Sequence, residues 1–277
     1  MASRALVLGG GGVTGVAWEL GLLAGLAEAG LDLTDADLFV GTSAGSVVAA
    51  QVTSPTPLVE LYERQLASVG SEIAARLGIS QILRWAVASI GTRDERKAMA
   101  RIGSMALRTR TLSEDERKAV IASRLTSHEW PAARLVITAV SVDGEFVTFE
   151  KDSGVSLVDA VAASCAVPTV WPPVTINGRR YMDGGMRSPV NADLAKGYDH
   201  VVVIAPTTAA FRRSQSVPAQ VARLGPEVRS VVVAPDSAAK SAIGMNVLDP
   251  ARRAPAARAG RKQAEGALDA IAKVWKG

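Results

Sequence analysis

Short, nearly continuous apolar runs alternate along this chain with longer stretches whose apolar positions recur every three or four residues, the grammar of alternating strands and helices. Arg4 to Leu8 reads as a short strand, Gly9 to Gly12 as a glycine turn, and Gly15 to Ala29 as a helix that Gly30 ends. The same order returns at once. Leu38 to Val40 runs into Gly41-Thr42-Ser43-Ala44-Gly45, and Ser46 to Val52 continues as a helix of small residues until Pro55 and Pro57 stop it. From Leu58 to Leu125 the pattern is helical throughout and has the character of an insertion or cap, with Ser113 and Glu116 fitting a capping box.

Two hairpin signals follow. Asp143-Gly144 joins Leu135–Val142 to Phe146–Glu150, and Asn177-Gly178 joins Val174–Ile176 to Arg179–Met182. Between them Ser156 to Ala166 is a helix halted by Pro168. Val201 to Ala205 and Val231 to Ala234 are unbroken apolar runs of the kind that buried strands of a parallel sheet show. The tail, Arg252 to Trp275, is basic and then helical. Without an internal repeat or a convincing linker, residues 1–277 are expected to form one α/β domain, with a motif-bearing core at about 5–205, a helical insertion at about 58–125 and a helical tail at about 251–277.

Composition changes this picture mainly by exclusion. One cysteine and two histidines allow neither a disulfide framework nor an ordinary four-ligand zinc site. Aromatic residues at 4% supply no stacking platform for single-stranded nucleic acid, and a net charge of +4 over 277 residues is no polyanion signature. The apolar stretch from Ala5 to Leu26 is interrupted by four consecutive glycines and by Glu19, so it fits neither a signal-peptide core nor a membrane span. A cytoplasmic protein that touches membranes only from the surface is expected.

Gly10, Gly12 and Gly15 satisfy G-x-G-x-x-G between a strand and a helix, the context of a dinucleotide fingerprint. That use also wants an acid at the end of the second strand, and here Asp35 and Asp37 precede the strand instead. No Lys-Ser/Thr follows the glycines, which removes a P-loop. Tight-turn glycines, or backbone donors for a developing oxyanion, are the other uses. Gly41-Thr42-Ser43-Ala44-Gly45 fits the G-x-S-x-G nucleophile elbow, a motif that chance supplies in roughly one such chain in six and that gains weight from its strand-to-helix setting.

A serine nucleophile needs a base. His128 sits in ordinary surface grammar beside Trp130-Pro131, and His200 opens a buried strand at its amino-terminal edge, whereas sites on parallel sheets lie at the carboxyl edge. Both are expected to be solvated or capping histidines, so a carboxylate is the base to look for. Asp183-Gly184-Gly185 follows directly on the second hairpin strand.

With these three motifs in order, the chain resembles the patatin-like phospholipases, which carry a G-G-G-x-R/K-G loop, a G-x-S-x-G elbow and a D-G-G/A motif. The matching residues are Gly10-Gly11-Gly12-Val13-Thr14-Gly15, Gly41-Thr42-Ser43-Ala44-Gly45 and Asp183-Gly184-Gly185, and Ala163-Ser164-Cys165-Ala166-Val167-Pro168 with Pro172-Pro173 is similar to the family's A-S-x-A-x-P stretch. The resemblance runs from Leu6 to about Pro189. It implies a three-layer α/β/α fold with a central, mostly parallel sheet and a helical cap. It further implies a serine esterase acting on fatty-acyl lipids through a Ser43–Asp183 dyad, with no cofactor or metal. The oxyanion hole would come from Gly10, Gly11, Gly12 and Val13, with Ala44 contributing. For Asp183 to act as base it should be desolvated, with a raised pKa.

One position departs from the pattern: Thr14 stands where the family has Arg or Lys, so the positive charge beside the loop is missing. That departure keeps open a catalytically silent lipid-binding protein of the same fold. Cys165 is expected to be a small buried apolar residue, Trp85 and Trp171 to serve in packing or beside an acyl channel, and the basic tail from Arg252-Arg253 to Arg261-Lys262 to form a solvated face or touch anionic lipid.

Overall fold

A computed structural model of the chain describes residues 2–67 and 75–277. Its strands are β1 (Arg4–Leu8), β2 (Leu38–Gly41), β3 (Leu135–Ser141), β4 (Phe146–Phe149), β5 (Val174–Ile176), β6 (Arg179–Asp183), β7 (His200–Ile204) and β8 (Arg229–Val233). They form one sheet in the order β5-β6-β3-β2-β1-β7-β8, with β4 also paired to β3. β3, β2, β1, β7 and β8 run parallel, and the pairings of β3 with β4, β3 with β6 and β5 with β6 are antiparallel.

The helices are α1 (Gly12–Glu28), α2 (Ala44–Val52), α3 (Leu58–Leu66), α4 (Ile79–Ser89), α5 (Glu95–Arg108), α6 (Glu114–Arg124), α7 (Leu157–Ser164), α8 (Val217–Ala222), α9 (Ser237–Ile243) and α10 (Arg253–Trp275). Successive side chains of a strand point to opposite faces. Leu6, Leu8, Phe39, Ile137, Val202 and Ile204 therefore meet the layer built by α1, α2, α7 and α10. Ala5, Val7, Val40, Val136, Val201 and Val203 pack against residues 190–195 and α8 on the other side. Both faces are covered, which is why these strands read as unbroken apolar runs.

The segment expected to be one helical cap divides its work. α3 and α6 contribute Leu61, Tyr62 and Ile121 to the α1 layer. α4 and α5 instead bring Trp85, Ala98, Met99 and Ile102 over Val140, Met182 and Met186 at the ends of β3 and β6. Residues 68–74, which also fall within the continuous helical pattern, lie outside the described residues. The helices break at 90–94 and 109–113, where Asp94 and Ser113 cap the next helix by accepting from Lys97 N and Glu116 N. α8 and α9 were not expected from the sequence; at six and seven residues they are too short to show a helical period.

The tail α10 lies along α1 at backbone contact distance. A Cβ on Gly21 would come 2.1 Å from Ala257 O, and one on Gly260 would come 2.2 Å from Trp18 O. Its basic residues face the protein in part: Arg261 pairs with Glu28, and Arg253 donates to Gln65 and to Arg64 O. Among the described residues no helix is long and apolar enough to cross a membrane.

Candidate active site

β2 and β6 meet end to end on one edge of β3. Ile137 pairs with Gly41 and with Phe149 of β4, and Ala139 pairs with Asp183 and with Val147 of β4. Each residue has two edges, so the edge opposite β4 passes from β2 to β6 between Ile137 and Ala139. The carboxyl ends of the two strands therefore face each other two residues apart, with Asp183 the last residue of β6 and Ser43 two residues past the end of β2.

Immediately after β2 the chain turns sharply into α2. Ser43 sits at the turn with φ 52° and ψ −117°, a left-handed conformation that costs a non-glycine residue about 1–3 kcal/mol. The flanking glycines are required by contact: a Cβ on Gly41 would lie 2.6 Å from Ser46 Cα, and one on Gly45 2.0 Å from Leu8 O. Three neighbours hold the strained residue. Ser43 N donates to Ser164 Oγ at 2.9 Å, Ser46 Oγ donates to Ser43 O at 2.6 Å, and Cys165 Sγ donates to the same carbonyl at 3.3 Å.

Ser43 Oγ donates to Asp183 Oδ2 at 2.7 Å, and Gly185 N donates to Asp183 Oδ1, also at 2.7 Å. Asp183 is only 4% exposed. Burial raises its pKa to about 6, against the lowering effects of the Ser43 hydroxyl, the Gly185 N–H and the charge of Arg117. Behind the pair, Asn191 Nδ2 donates to Thr42 Oγ1 at 3.0 Å and to Ser188 O at 3.1 Å, and Thr42 Oγ1 is hydrogen-bonded to Thr138 Oγ1 at 2.9 Å. This buried network ties the elbow, β3 and the segment after Asp183 into one unit. Only its Thr42 lay inside a recognised motif.

The glycine loop lies beside Ser43. Gly10 N donates to Pro189 O at 2.8 Å, so Gly10, expected as a donor to the oxyanion, already has its N–H engaged and contributes only its lack of a side chain. Gly11, Gly12 and Val13 precede or begin α1, where N–H groups have no intrahelical acceptor, and Ala44 begins α2 in the same way. None of the four donates to another described residue. All four line the same cavity as Ser43. Thr14 is fully buried and turned away from it, with its N and Oγ1 both 3.2 Å from Val247 O. Beneath the loop Glu19, also fully buried, accepts from Gly9 N at 3.0 Å, and burial pushes its carboxyl well above the ordinary range.

The cavity encloses about 320 Å³, with Ser43 and Asp183 in its wall and a lining that includes Val13, Val16, Leu77, Trp85, Val167 and Leu248. Both Trp85 and Trp171 belong to it. The positive charge absent at Thr14 enters from α6: Arg117 and Arg124 line the cavity, and the Arg117 guanidinium, 3% exposed, stacks 4.0 Å over the Trp171 ring.

A family model described as patatin-like phospholipase matches residues 6–196, a span that holds the glycine loop, the elbow and Asp183. The chain belongs to the patatin-like phospholipase family. No curated protein matches it significantly. Among solved structures it is similar to the crystal structure of VipD from Legionella pneumophila, at 12% identity and a TM-score of 0.48 over 98% of this chain and 67% of that one. It is also similar to the type III effector protein ExoU, at 17% identity and a TM-score of 0.41 over 97% of this chain. The chain spans about half of ExoU, 53% of its length. The fold is the family's mixed, mostly parallel sheet flanked by helices.

Within this patatin-like fold the remaining candidates are dispersed. His200 begins β7 opposite Arg4 and Arg229, at the sheet edge away from Ser43; it is 8% exposed, more buried than a solvated histidine. His128 Nε2 lies 3.0 Å from Ala122 O near the end of α6. Cys165 is buried and its thiol is pushed up to about 11, chiefly by desolvation. Asp35 and Asp37 lie at the amino-terminal end of β2, bonded to Arg4. A Cβ on Gly11 would lie 2.5 Å from Pro206 Cβ, and one on Gly12 2.5 Å from Val247 O, so neither position has room for a side chain.

Proposed function

We propose that the protein hydrolyses carboxylic esters of fatty acids in lipids, with Ser43 as nucleophile and Asp183 as base. The observation that carries this reading is the 2.7 Å hydrogen bond from Ser43 to a buried carboxylate in the wall of an apolar cavity. Ser43 Oγ attacks the ester carbonyl carbon while its proton passes to Asp183 Oδ2. The carbonyl oxygen becomes an oxyanion that the N–H groups of Gly11, Gly12 and Val13, with Ala44, stabilise. As the C–O bond breaks, the leaving alkoxide takes the proton from Asp183, and an acyl group remains on Ser43. Water then attacks the acyl carbon and gives a proton to Asp183; the bond between Ser43 Oγ and the acyl carbon breaks, Ser43 takes that proton back, and the fatty acid leaves.

The carboxylate suits the step because its pKa of about 6 lies closer to neutral pH than an exposed aspartate's, making it a better proton acceptor while it stays ionised at pH 7. A lining rich in valine, leucine and tryptophan favours an acyl chain over a polar acyl group. A silent binding protein, suggested by Thr14, has no use for an oriented serine beside a carboxylate held ionisable at the expense of burial, and Arg117 restores a cation to the cavity. Dinucleotide binding lacks the acid at the end of β2, where Gly41 leads into the elbow. The test is hydrolysis of p-nitrophenyl acyl esters: Ser43→Ala and Asp183→Asn each lose activity by about a thousandfold or more. Full activity in either variant would end this reading.

A further inference from the structure

Nine large apolar side chains are exposed among the described residues, and six of them, Ile82, Leu83, Val87, Ile90, Phe211 and Met245, come from three segments that meet at one side of the cavity. α4 supplies Ile82 and Trp85 to the cavity lining and turns Leu83, 62% exposed, and Val87, 59% exposed, outward one helical turn apart. Ile90, just past the helix end, is 69% exposed. The loop after β7 joins α4 through Phe211, which lines the cavity and packs edge-on against Trp85 with ring centroids 5.7 Å apart. The loop at 244–248 joins it through Asn246, whose Nδ2 donates to Ala75 O at 3.0 Å and whose Oδ1 accepts from Leu77 N at 3.3 Å. Met245, beside that anchor, is 94% exposed.

From residue 75 to residue 93 the charge has one sign, before Asp94 and Glu95 open α5. Residues 75–93 contain Arg76, Arg84 and Arg93, all exposed, and no aspartate or glutamate. Arg212 reinforces the frame by donating to Thr92 O and Arg93 O. Apolar side chains framed by arginines on an amphipathic helix are the composition of an interfacial helix that enters the headgroup region of an anionic bilayer. An exposed apolar patch continuous with an apolar cavity also solves a delivery problem, since an acyl chain leaving a bilayer there need not cross water to reach Ser43.

We infer that α4, with the loops carrying Phe211 and Met245, docks the protein on anionic lipid surfaces and admits the acyl chain to the cavity. The occupant is a lipid bilayer bearing negative headgroups, and the inference rests on the lipid-hydrolase reading of the site. The basic tail is a weaker candidate, because α10 is packed along α1 and part of its charge is paired there.

The test uses full-length Ser43→Ala protein, so that binding is measured without turnover. It is sedimented with vesicles of phosphatidylcholine alone and of equal parts phosphatidylcholine and phosphatidylglycerol. Binding should favour the anionic vesicles by about tenfold or more and weaken as salt rises. Changing Leu83→Glu, Val87→Glu and Ile90→Glu together, at positions outside the cavity lining, should weaken that binding by about a hundredfold. The same three changes in the Ser43 protein should leave hydrolysis of a short, soluble p-nitrophenyl ester intact, which also reports that the protein folds. Vesicle binding unchanged by the triple substitution, or no binding to either vesicle, overturns the inference. So does self-association that the triple variant abolishes, which would assign the patch to a second copy of the chain. Absence of ester hydrolysis in the unsubstituted protein would strike the functional reading instead, whatever the vesicles show.

Discussion

The Ser43 hydroxyl meets the Asp183 carboxylate across 140 residues of sequence because β3 acts as a ruler for both, aligning Gly41 with Ile137 and Asp183 with Ala139 on the same edge. The serine is positioned by a strained turn and the aspartate by a strand end, so neither depends on a mobile loop. Burial then sets the chemistry, raising the carboxyl toward neutrality while the hydrogen bonds of Ser43 and Gly185 limit the rise.

The pH dependence follows from that balance. Asp183 must be ionised to accept a proton, and with its pKa near 6, kcat/KM should be level above that pH and fall about tenfold per unit below it. An acid limb centred near 4 instead would mean that the base is solvent-exposed.

Asp183→Asn should trade activity for stability. A carboxyl whose pKa rises from 3.8 to about 6 on folding binds its proton more tightly in the native state, so its ionisation destabilises the fold progressively as pH rises through that window. The full cost at pH 8 is at most about 3 kcal/mol, and it vanishes below the unfolded-state value. An asparagine stays neutral and can still accept from Gly185 N and bond to Ser43. Denaturant unfolding should show the variant more stable than the parent at pH 8 and little different near pH 4; equal stability at both would contradict a buried, costly carboxylate.

Arg117 should tune that window from outside the motifs. Its charge lowers the Asp183 pKa, and replacing it by methionine keeps apolar contact with Trp171 while removing the charge. The acid limb of Arg117→Met should move to higher pH. An unmoved limb would make Arg117 a packing residue only.

The glycines of the two motifs should differ sharply in tolerance. Gly45→Ala would put a Cβ 2.0 Å from Leu8 O and should cost about 3 kcal/mol or more, with loss of activity. Gly15→Ala, whose Cβ would meet Pro206 and Ala44 at 3.4 and 3.5 Å, should fold and remain active. Thermal unfolding of the two proteins distinguishes them.

The histidines provide the contrast. His128→Ala and His200→Gln should each keep ester hydrolysis within about twofold of the parent, because both lie away from Ser43. A large loss in His200→Gln that a thermal scan does not explain would require a base other than Asp183.

Much of this arrangement was legible in the chain because the relevant signals are local. Glycine contacts, a strand running into G-x-S-x-G, and Asp-Gly-Gly after a hairpin each occupy a few consecutive residues, and their order carried the family resemblance. What could not be read was whatever depends on distant segments meeting. Arg117 gave only a charge on an amphipathic helix, and Asn191 only a polar residue after Pro189; their roles arise because α6 and the segment after β6 converge on the elbow. The same holds for Gly10. Its N–H looks like its neighbours' until Pro189 O is brought to it. The continuous helical pattern from Leu58 to Leu125 likewise concealed two destinations, since an apolar helix face does not say which surface it will cover.

The most direct test of the Ser43–Asp183 account is labelling with a fluorophosphonate at pH 8, followed by mass-spectrometric mapping of the modified residue. The account predicts a single adduct on Ser43 in the unsubstituted protein, formed much more slowly in folded Asp183→Asn. No adduct on well-folded protein, an adduct elsewhere, or equally fast labelling of Asp183→Asn would contradict it.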